Sequence, residues 1–364
     1  MNSLAEDVKE TVESEITSCR NCKRCLLACP LPESNGIDIY HLNREILSDK
    51  PSKEILDFAF LCYSCAACNY SCPDYMARDL HMVYLRSKGR LPKGFTNLLH
   101  WRGKRLGPID KLLYSLKRIK DKPIDVIARH LDKTEFKDTP LLFYFACYAY
   151  SPSNISEKTL GIADHLGLDY DVIAGYSHCC GWPHFLAGDF DRAEPLFIDL
   201  FNTIANTTAK TVVTGCAECY KAIKYLRDRY AGSFEVLTTT EWIKRHQKKL
   251  KLSKTEEQVT FHDSCQLSRL EDKSEIARGI VKKMGRLIEM EANRKQTQCC
   301  GGMRAGHKPE AMTQLRLNRL ADAKNSGAKM MITECVTCFE KYNPHATDIK
   351  VKDLSELVYD RLKK

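Results

Sequence analysis

The sequence predicts two architectures in series: a mostly helical N-terminal region, then a duplicated α/β unit with mainly parallel sheets. Three observations carry this. First, the eighteen cysteines fall without remainder into two kinds of spacing, eight up to Cys72 and ten from Cys147 onward. Second, the later ten form two copies of one pattern, with matching cysteines 118 to 120 residues apart, as an internal duplication requires. Third, from Pro140 strand-like apolar runs alternate with amphipathic helical stretches, a pattern that favours parallel strands covered by helices.

The N-terminal region is helical in its periodicity. Glu6–Ile16 and Ile37–Leu47 carry apolar residues at helical spacing. Between and after them lie Cys19-x2-Cys22-x2-Cys25-x3-Cys29-Pro30 and Cys62-x2-Cys65-x2-Cys68-x3-Cys72-Pro73. Three thiolates on one tight loop suit three corners of a cubane [4Fe-4S] cluster, and the cysteine before proline reaches the other cluster. One cluster would use Cys19, Cys22, Cys25 and Cys72, the other Cys62, Cys65, Cys68 and Cys29. The alternative is a pair of structural zinc knots. Neither the triple spacing nor the Cys-Pro signature suits zinc, which takes its ligands as two pairs. Such a bis-[4Fe-4S] ferredoxin-like domain moves electrons and specifies no substrate.

The segment after it is basic. Between Arg86 and Lys122 lie twelve Lys/Arg and two Asp, interleaved with apolar residues including Trp101, and one amphipathic helix is expected over Pro108–Lys120. This is either a solvated linker or a docking surface for a membrane partner or anionic headgroups, with contacts around Trp101–Lys122 that include Arg102, Lys104 and Arg105. No nucleic-acid module accompanies the charge, so nucleic acid is not expected as a partner.

The α/β unit reads as strand at Leu141–Phe145, helix at Ile155–Leu166 and strand at Tyr170–Ala174. Helix follows at Phe190–Thr203, strand at Thr211–Thr214 and helix at Ala217–Arg229, and Phe234–Leu237 and Thr240–Lys248 close the first copy. The second runs through Val259–His262, Glu275–Met284, Leu287–Met290, Pro309–Lys324, Lys329–Thr333, Cys335–Lys341, Ile349–Val351 and Ser355–Leu362. The implied division is residues 1–90, a basic linker 91–138, and repeats at 139–252 and 253–364.

Each repeat carries five cysteines: Cys147, Cys179-Cys180-Gly181 and Cys216-x2-Cys219, then Cys265, Cys299-Cys300-Gly301 and Cys335-x2-Cys338. They sit just past strand ends, where open α/β sheets bind ligands. Adjacent cysteines diverge and suit two irons of one cluster better than one tetrahedral ion. Gly181 and Gly301 would let backbone pass close to sulfide without a Cβ. Five thiolates exceed the four a cubane needs, which implies a more open cluster.

These motifs resemble known proteins. The two repeats are similar to the CCG domains of the B-type subunit of heterodisulfide reductase, and the N-terminal region resembles the C-type iron–sulfur subunit of the same enzyme. Their order resembles the D-type catalytic subunit, in which the two parts are fused. The iron–sulfur subunits of glycolate, lactate and anaerobic glycerol-3-phosphate dehydrogenases are related, but many keep only one intact five-cysteine motif. The resemblance implies a noncubane [4Fe-4S] cluster on each five-cysteine set, facing each other across a pocket. Between them the coenzyme M–coenzyme B disulfide would be reduced, with the cubane pair feeding single electrons. All ten of these cysteines would then be catalytic, in a chain of anaerobic, methanogenesis-type metabolism. The alternatives are an electron-transfer subunit of a flavin-linked hydroxy-acid or glycerol-3-phosphate dehydrogenase, or a quinone-linked thiol or sulfur oxidoreductase subunit. Two departures concern geometry: Phe145-Ala146 stands where the family commonly has Pro-Gly before Cys147, and Gly301-Gly302-Met303 is a shortened glycine tail.

Other residues near the motifs are candidates for the pocket. His178 and His262 are placed either to donate a proton to a product thiolate, to hydrogen-bond a cluster sulfur, or simply to fill the core. Trp182, His184, Arg304 and His307 follow the Cys-Cys-Gly turns and either line the pocket, where Arg304 would suit a sulfonate or phosphate, or lie at the surface. No G-x-G-x-x-G opens a helix after a strand, so no flavin or nicotinamide is expected on this chain. Electrons would come from a membrane cytochrome b-type subunit or a soluble flavin/iron–sulfur donor subunit. The acidic N-terminus lacks an apolar signal segment, and cysteine-rich chains of this kind belong in a reducing compartment. A cytoplasmic location is expected, peripheral to the inner membrane face through a partner.

Overall fold

The computed structural model describes residues 2–93, 99–100, 102–104, 125–151, 153–302 and 309–363. The expected helix over Pro108–Lys120 lies outside these residues, as do Trp101, Arg105, Arg304 and His307.

Six helices build the N-terminal region: α1 (Leu4–Thr17), α2 (Arg24–Leu27), α3 (Ile39–Leu47), α4 (Lys53–Leu61), α5 (Ala67–Ser71) and α6 (Arg78–Ser87). Helix α1 buries Leu4, Val8, Val12 and Ile16, one stripe at four-residue spacing, and starts at a capping box of Ser3 and Glu6. Asp38 and Ser52 cap α3 and α4 by accepting the His41 and Ile55 amides. The short helices α2 and α5 pack together and carry the two cysteine runs. Each run curls the same way: Asn21 and Lys23 in one, Ser64 and Ala66 in the other, all have φ between 49° and 62°. That curl turns the Asn21 amide to the Cys19 Sγ at 3.4 Å and the Ser64 amide to the Cys62 Sγ at 3.3 Å.

The two repeats each form a four-stranded sheet in which every pairing is parallel. In the first, β1 (Leu141–Ala146), β2 (Asp171–Ala174), β3 (Thr211–Thr214) and β4 (Glu235–Thr238) lie in the order β2-β1-β3-β4. In the second, β5 (Gln258–His262), β6 (Arg286–Leu287), β7 (Met330–Thr333) and β8 (Lys350–Asp353) repeat it as β6-β5-β7-β8. Strand β1 is buried at every residue, as a parallel strand covered on both faces must be. Strand β6 is shorter than the expected Leu287–Met290, because Glu289 leaves the sheet to bind Arg278 (2.7 Å).

Helices follow nearly as the periodicity predicts: α7 (Asp125–Ala128), α8 (Ile155–His165), α9 (Trp182–Leu186), α10 (Phe190–Ala205), α11 (Ala217–Arg229), α12 (Thr239–His246), α13 (Cys265–Leu270), α14 (Ser274–Val281), α15 (Pro309–Asn325), α16 (Val336–Tyr342) and α17 (Leu354–Asp360). The sequence pattern misses α7, α9 and α13, which at four to six residues are too short to show a period.

The repeats grip each other through α8 against α17, where Gly161 leaves room for the Tyr359 ring, and through the Val336 amide, which donates to the Gly215 carbonyl at 3.0 Å. The helical region docks on the first repeat. Glu194 accepts the Leu4 amide at 2.9 Å, and Arg229 pairs with Asp7. Arg86 is fully buried and donates to the carbonyls of Ala59, Cys62 and Leu186, tying the second cysteine run to α9.

This corrects part of the expected basic surface. Arg86 serves the interior. Lys88 caps the end of α3 by donating to the Ile46 and Ser48 carbonyls at 2.8 Å. Arg102 turns inward as well, because Gly103 (φ 80°) hydrogen-bonds the Tyr176 carbonyl at 2.8 Å and Leu99 is buried in the core. Lys104 remains exposed.

Candidate functional site

In each repeat the strand order reverses beside the first strand, between β1 and β3 and between β5 and β7. A crevice opens there at the carboxyl ends of the strands. Cys147 follows β1, the Cys179–Cys180 pair follows β2, and Cys216 follows β3; the second repeat matches this with Cys265, Cys299–Cys300 and Cys335. Topology therefore gathers five cysteines, spread over about seventy residues, at one sheet end. Cys219 Sγ lies 3.7 Å from Cys180 Sγ, and its counterpart Cys338 lies 3.5 Å from Cys300; Cys265 and Cys299 approach to 3.9 Å. The two sets adjoin, since Cys216 Sγ is 3.9 Å from the Thr337 hydroxyl, beside Cys335.

The glycines after the paired cysteines also meet a packing requirement. Both have positive φ, 70° at Gly181 and 66° at Gly301. A Cβ at Gly181 would strike the Phe197 ring, and one at Gly301 would press on Met312 and Leu315. Close packing of the following helix, with the left-handed backbone, calls for glycine here. Ala146, just before Cys147, has φ 42° without being glycine, so the departure noted in sequence is a strained residue.

A cavity of about 680 Å³ opens onto the first set. Cys147, Cys180, Cys216 and Cys219 line one wall, and Thr337, Phe339 and Lys341 of α16 the other, so it lies on the seam of the two repeats. A smaller cavity of about 30 Å³ lies among Cys265, Cys299, Cys300, Cys335 and Cys338. A third, of about 20 Å³, lies among Cys29, Cys62, Cys65 and Cys68. Cys29 thus crosses to the second run. Cys25 likewise stands within electrostatic reach of Cys19 and Cys72. Cys22 is exposed at the rim.

Charged groups face the sulfurs. Arg102 Nη1 donates to Cys147 Sγ at 2.8 Å, and its buried Nε has no partner among the described residues. Burial pushes the Cys147 thiol up to about 11 against the pull of Arg102. Arg78 Nη2 donates to Cys19 Sγ at 2.8 Å. Cys335 is held down to about 6, first by the Cys338 hydrogen bond and then by the amides of Ala217, at the head of α11 in the first repeat, and of Cys338 and Thr337, at the head of α16. Glu218, between Cys216 and Cys219, lines both the large cavity and the small second one; burial raises its carboxyl to about 7. Arg102 and Glu218 escape a motif reading. The sign of Glu218 was a carboxylate inside a Cys-x2-Cys turn, whereas nothing local marks Arg102.

The histidines take other roles. His178 Nε2 bonds the Lys133 carbonyl at 2.8 Å, and Phe136 stands edge-on to its ring. His262 is fully buried, its Nδ1 accepting from Arg319 Nε at 3.2 Å, and burial drives its pKa well down. A neutral core histidine describes it better than a proton donor. Trp182 stacks on Phe185 and Phe197, and His184 Nδ1 meets Asp189 at 2.9 Å; Pro183 between them is the one that lines the large cavity.

Donor chemistry fits iron–sulfur clusters. Buried sulfur-rich sets surround small cavities, with cationic or amide donors aimed at the sulfurs. Among the described residues no three His, Cys, Asp or Glu side chains converge on one point. Among them also, no helix is long and apolar enough to cross a membrane.

Comparison with known proteins bears on the same residues. The cysteine-rich (CCG) domain model matches residues 141–224 and 259–341, and the 4Fe-4S dicluster domain model matches residues 18–77. The chain is an iron–sulfur oxidoreductase subunit made of a dicluster domain and two cysteine-rich domains. The D-type subunit of the dihydromethanophenazine:CoB–CoM heterodisulfide reductase of Methanosarcina acetivorans is 24% identical, over 96% of this chain and 94% of that protein. A fumarate reductase (CoM/CoB) subunit of Methanothermobacter marburgensis is 24% identical, over 97% of this chain and 73% of its own length. A solved hypothetical protein from Helicobacter pylori shares the fold, with a TM-score of 0.52 and 9% identity over 98% of this chain and 73% of that one. The chain belongs to the heterodisulfide reductase family, with the fused, D-type arrangement of its parts.

Proposed function

We propose that this chain reduces a disulfide of the coenzyme M–coenzyme B class at two noncubane [4Fe-4S] clusters, held by Cys147, Cys179, Cys180, Cys216 and Cys219 and by Cys265, Cys299, Cys300, Cys335 and Cys338. Two cubane clusters would be held by Cys19, Cys22, Cys25 and Cys72 and by Cys62, Cys65, Cys68 and Cys29, in a chain divided at residues 1–90, 91–138, 139–252 and 253–364. The observation that carries this reading is the large cavity on the seam between two complete five-cysteine sets. An electron wire alone needs no such chamber; a substrate does.

The clusters, when bound, supply one-electron transfer and a Lewis-acidic iron. The remaining work falls to the chain. Arg102 orients Cys147 and brings positive charge to the cavity wall. Glu218 stands where a departing sulfur would need a proton. Each disulfide takes two electrons and two protons and leaves as two thiols. The electrons come one at a time from a donor subunit, either a membrane cytochrome b-type protein at the cytoplasmic face or a soluble flavin or iron–sulfur protein.

Anaerobically purified, iron-loaded protein tests this with reduced viologen and the coenzyme M–coenzyme B disulfide. Two viologens oxidised for every two thiols released is the expected result. Fully loaded protein that yields no thiol would refute the reading and favour a relay serving a flavin dehydrogenase.

A further inference from the structure

The same fold is packed differently around its two cysteine sets. Phe143 pairs with Val213 and Phe261 with Ile332, so Tyr144 and His262, one residue further on, are counterparts. On the helices, Phe197 and Leu200 of α10 and Ile223 of α11 correspond to Arg316 and Arg319 of α15 and Tyr342 of α16, each 119 positions on. All of these residues are buried. Arg316 donates to the Cys300 and Gly301 carbonyls at 3.3 Å and so holds the turn of the paired cysteines.

Arg319 is in a different position. Its Nε donates to His262 Nδ1 at 3.2 Å, and the His262 ring stands edge-on to Tyr342 at 4.8 Å. Its Nη1 and Nη2, the Tyr342 hydroxyl and His262 Nε2 are buried without a hydrogen-bond partner among the described residues. The Asp322 carboxylate stands 3.8 Å from Nη1 and is 42% exposed, a loose contact. A buried guanidinium without a tight counter-ion is strongly destabilising by itself. Arg319 lies within electrostatic reach of Cys338, and Tyr342 within reach of Cys299, Cys300 and Cys338. The negative charge that suits this cation is that of the second set when it holds its cluster. The first repeat keeps Leu200 and Ile223 at these places and takes its cation, Arg102, from the linker instead.

We infer that Arg319 is the counter-charge of the second five-cysteine set, as Arg102 is of the first, so that the two sets accept electrons at matched potentials. This rests on the proposed clusters and disulfide chemistry and deepens them. A disulfide split between two one-electron sites takes one electron from each, gains two protons and leaves as two thiols. Sites of unequal potential would hold the first electron on one side. Arg319 is not among the residues lining the large cavity, so it is a positioning residue that acts through the cluster's charge.

Redox titration of the full, anaerobically loaded chain, followed by electron paramagnetic resonance, reads this centre by centre. In the wild type the two five-cysteine centres should titrate within about threefold of each other in reduction equilibrium. Arg319→Leu, which copies the first repeat, should disfavour reduction of one of them by about 3–10-fold, or about 30–60 mV at about 59 mV per tenfold for one electron. Arg102→Leu should shift the other, and the double variant should bring the two together again at a lower potential. Arg319→Lys should recover most of the loss; a residue that only packs would move none of these values. If Arg319→Leu sheds iron, Tyr342→Phe carries the test, with a smaller shift expected at the centre that Arg102→Leu leaves alone. Iron-replete variants in which both arginines shift the same centre, every centre or none overturn the inference. So do wild-type centres spread more widely than expected. Failure of the disulfide chemistry would show differently: the potentials shift as described, while the wild type releases no thiol from any disulfide.

Discussion

Replacing Arg102 with Leu should lower the reduction potential of one cluster and leave the others alone. Arg102 Nη1 reaches Cys147 Sγ at 2.8 Å, and the site is buried enough to push that thiol up to about 11 despite the cation. A charge-assisted hydrogen bond of this kind contributes about 1.5–3 kcal/mol. It strengthens when the cluster gains an electron, and if about half of it differs between the two redox states, roughly 0.8–1.5 kcal/mol is at stake. For a one-electron couple, 1.4 kcal/mol corresponds to about 59 mV, so the potential should fall by about 30–65 mV. The sign is fixed by charge: with the cation gone, adding an electron is harder. Arg102→Lys keeps the charge but loses the planar fork, so a smaller fall is expected. A redox titration followed by electron paramagnetic resonance reads the shift at each centre. A rise, an equal shift at every centre, or none in an iron-replete variant would refute the assignment of Arg102 to the first set. The same contact makes charge reversal at Arg102, Lys104 and Arg105 unsuitable as a pure docking test, because Arg102→Glu places a carboxylate against Cys147.

Three further outcomes are expected. Anaerobic iron analysis should return about sixteen irons per chain, since the cysteines divide as four, four, five and five; a value near half of that would leave the dicluster domain alone. Ala146→Gly should stabilise the protein by about 0.5–1 kcal/mol in a denaturant titration, because φ 42° strains an L-residue there and suits glycine; a loss of stability would show that the backbone is not strained. The helical region should weaken in acid. His81 is fully buried with its pKa lowered by burial, its Nδ1 facing Arg78 and its Nε2 bonded to Glu15 at 2.7 Å. Below its usual value near 6.5 the unfolded chain takes a proton the folded one refuses, so stability falls as pH drops, by up to about 1.4 kcal/mol per unit. Glu15, held low by His81 against its own burial, adds a loss in the same direction below about 4.5. His81→Gln should flatten the urea midpoint between pH 6.5 and 5, and an unchanged slope would place the acid sensitivity elsewhere.

Much of this protein is written in short-range pattern. The Cys-x2-Cys-x2-Cys-x3-Cys-Pro runs name their clusters because three ligands sit on one loop, and loop geometry is local. Strand β3 and helix α11 fall where alternation and helical spacing place them, at Thr211–Thr214 and Ala217–Arg229, because each buries its own face. The constant offset between repeats reveals the duplication for the same reason. What tertiary structure alone decides is adjacency. The seam of Cys65 with Cys299 joins residues more than two hundred positions apart, and no periodicity encodes which of two similar repeats receives the dicluster domain. Arg102 shows this most clearly. Within a run of cations it reads as surface charge, yet Gly103 and Leu99 anchor that stretch to the first repeat and turn the guanidinium onto Cys147. A charge's partner is set by where the chain returns in space, and that depends on the packing of the whole.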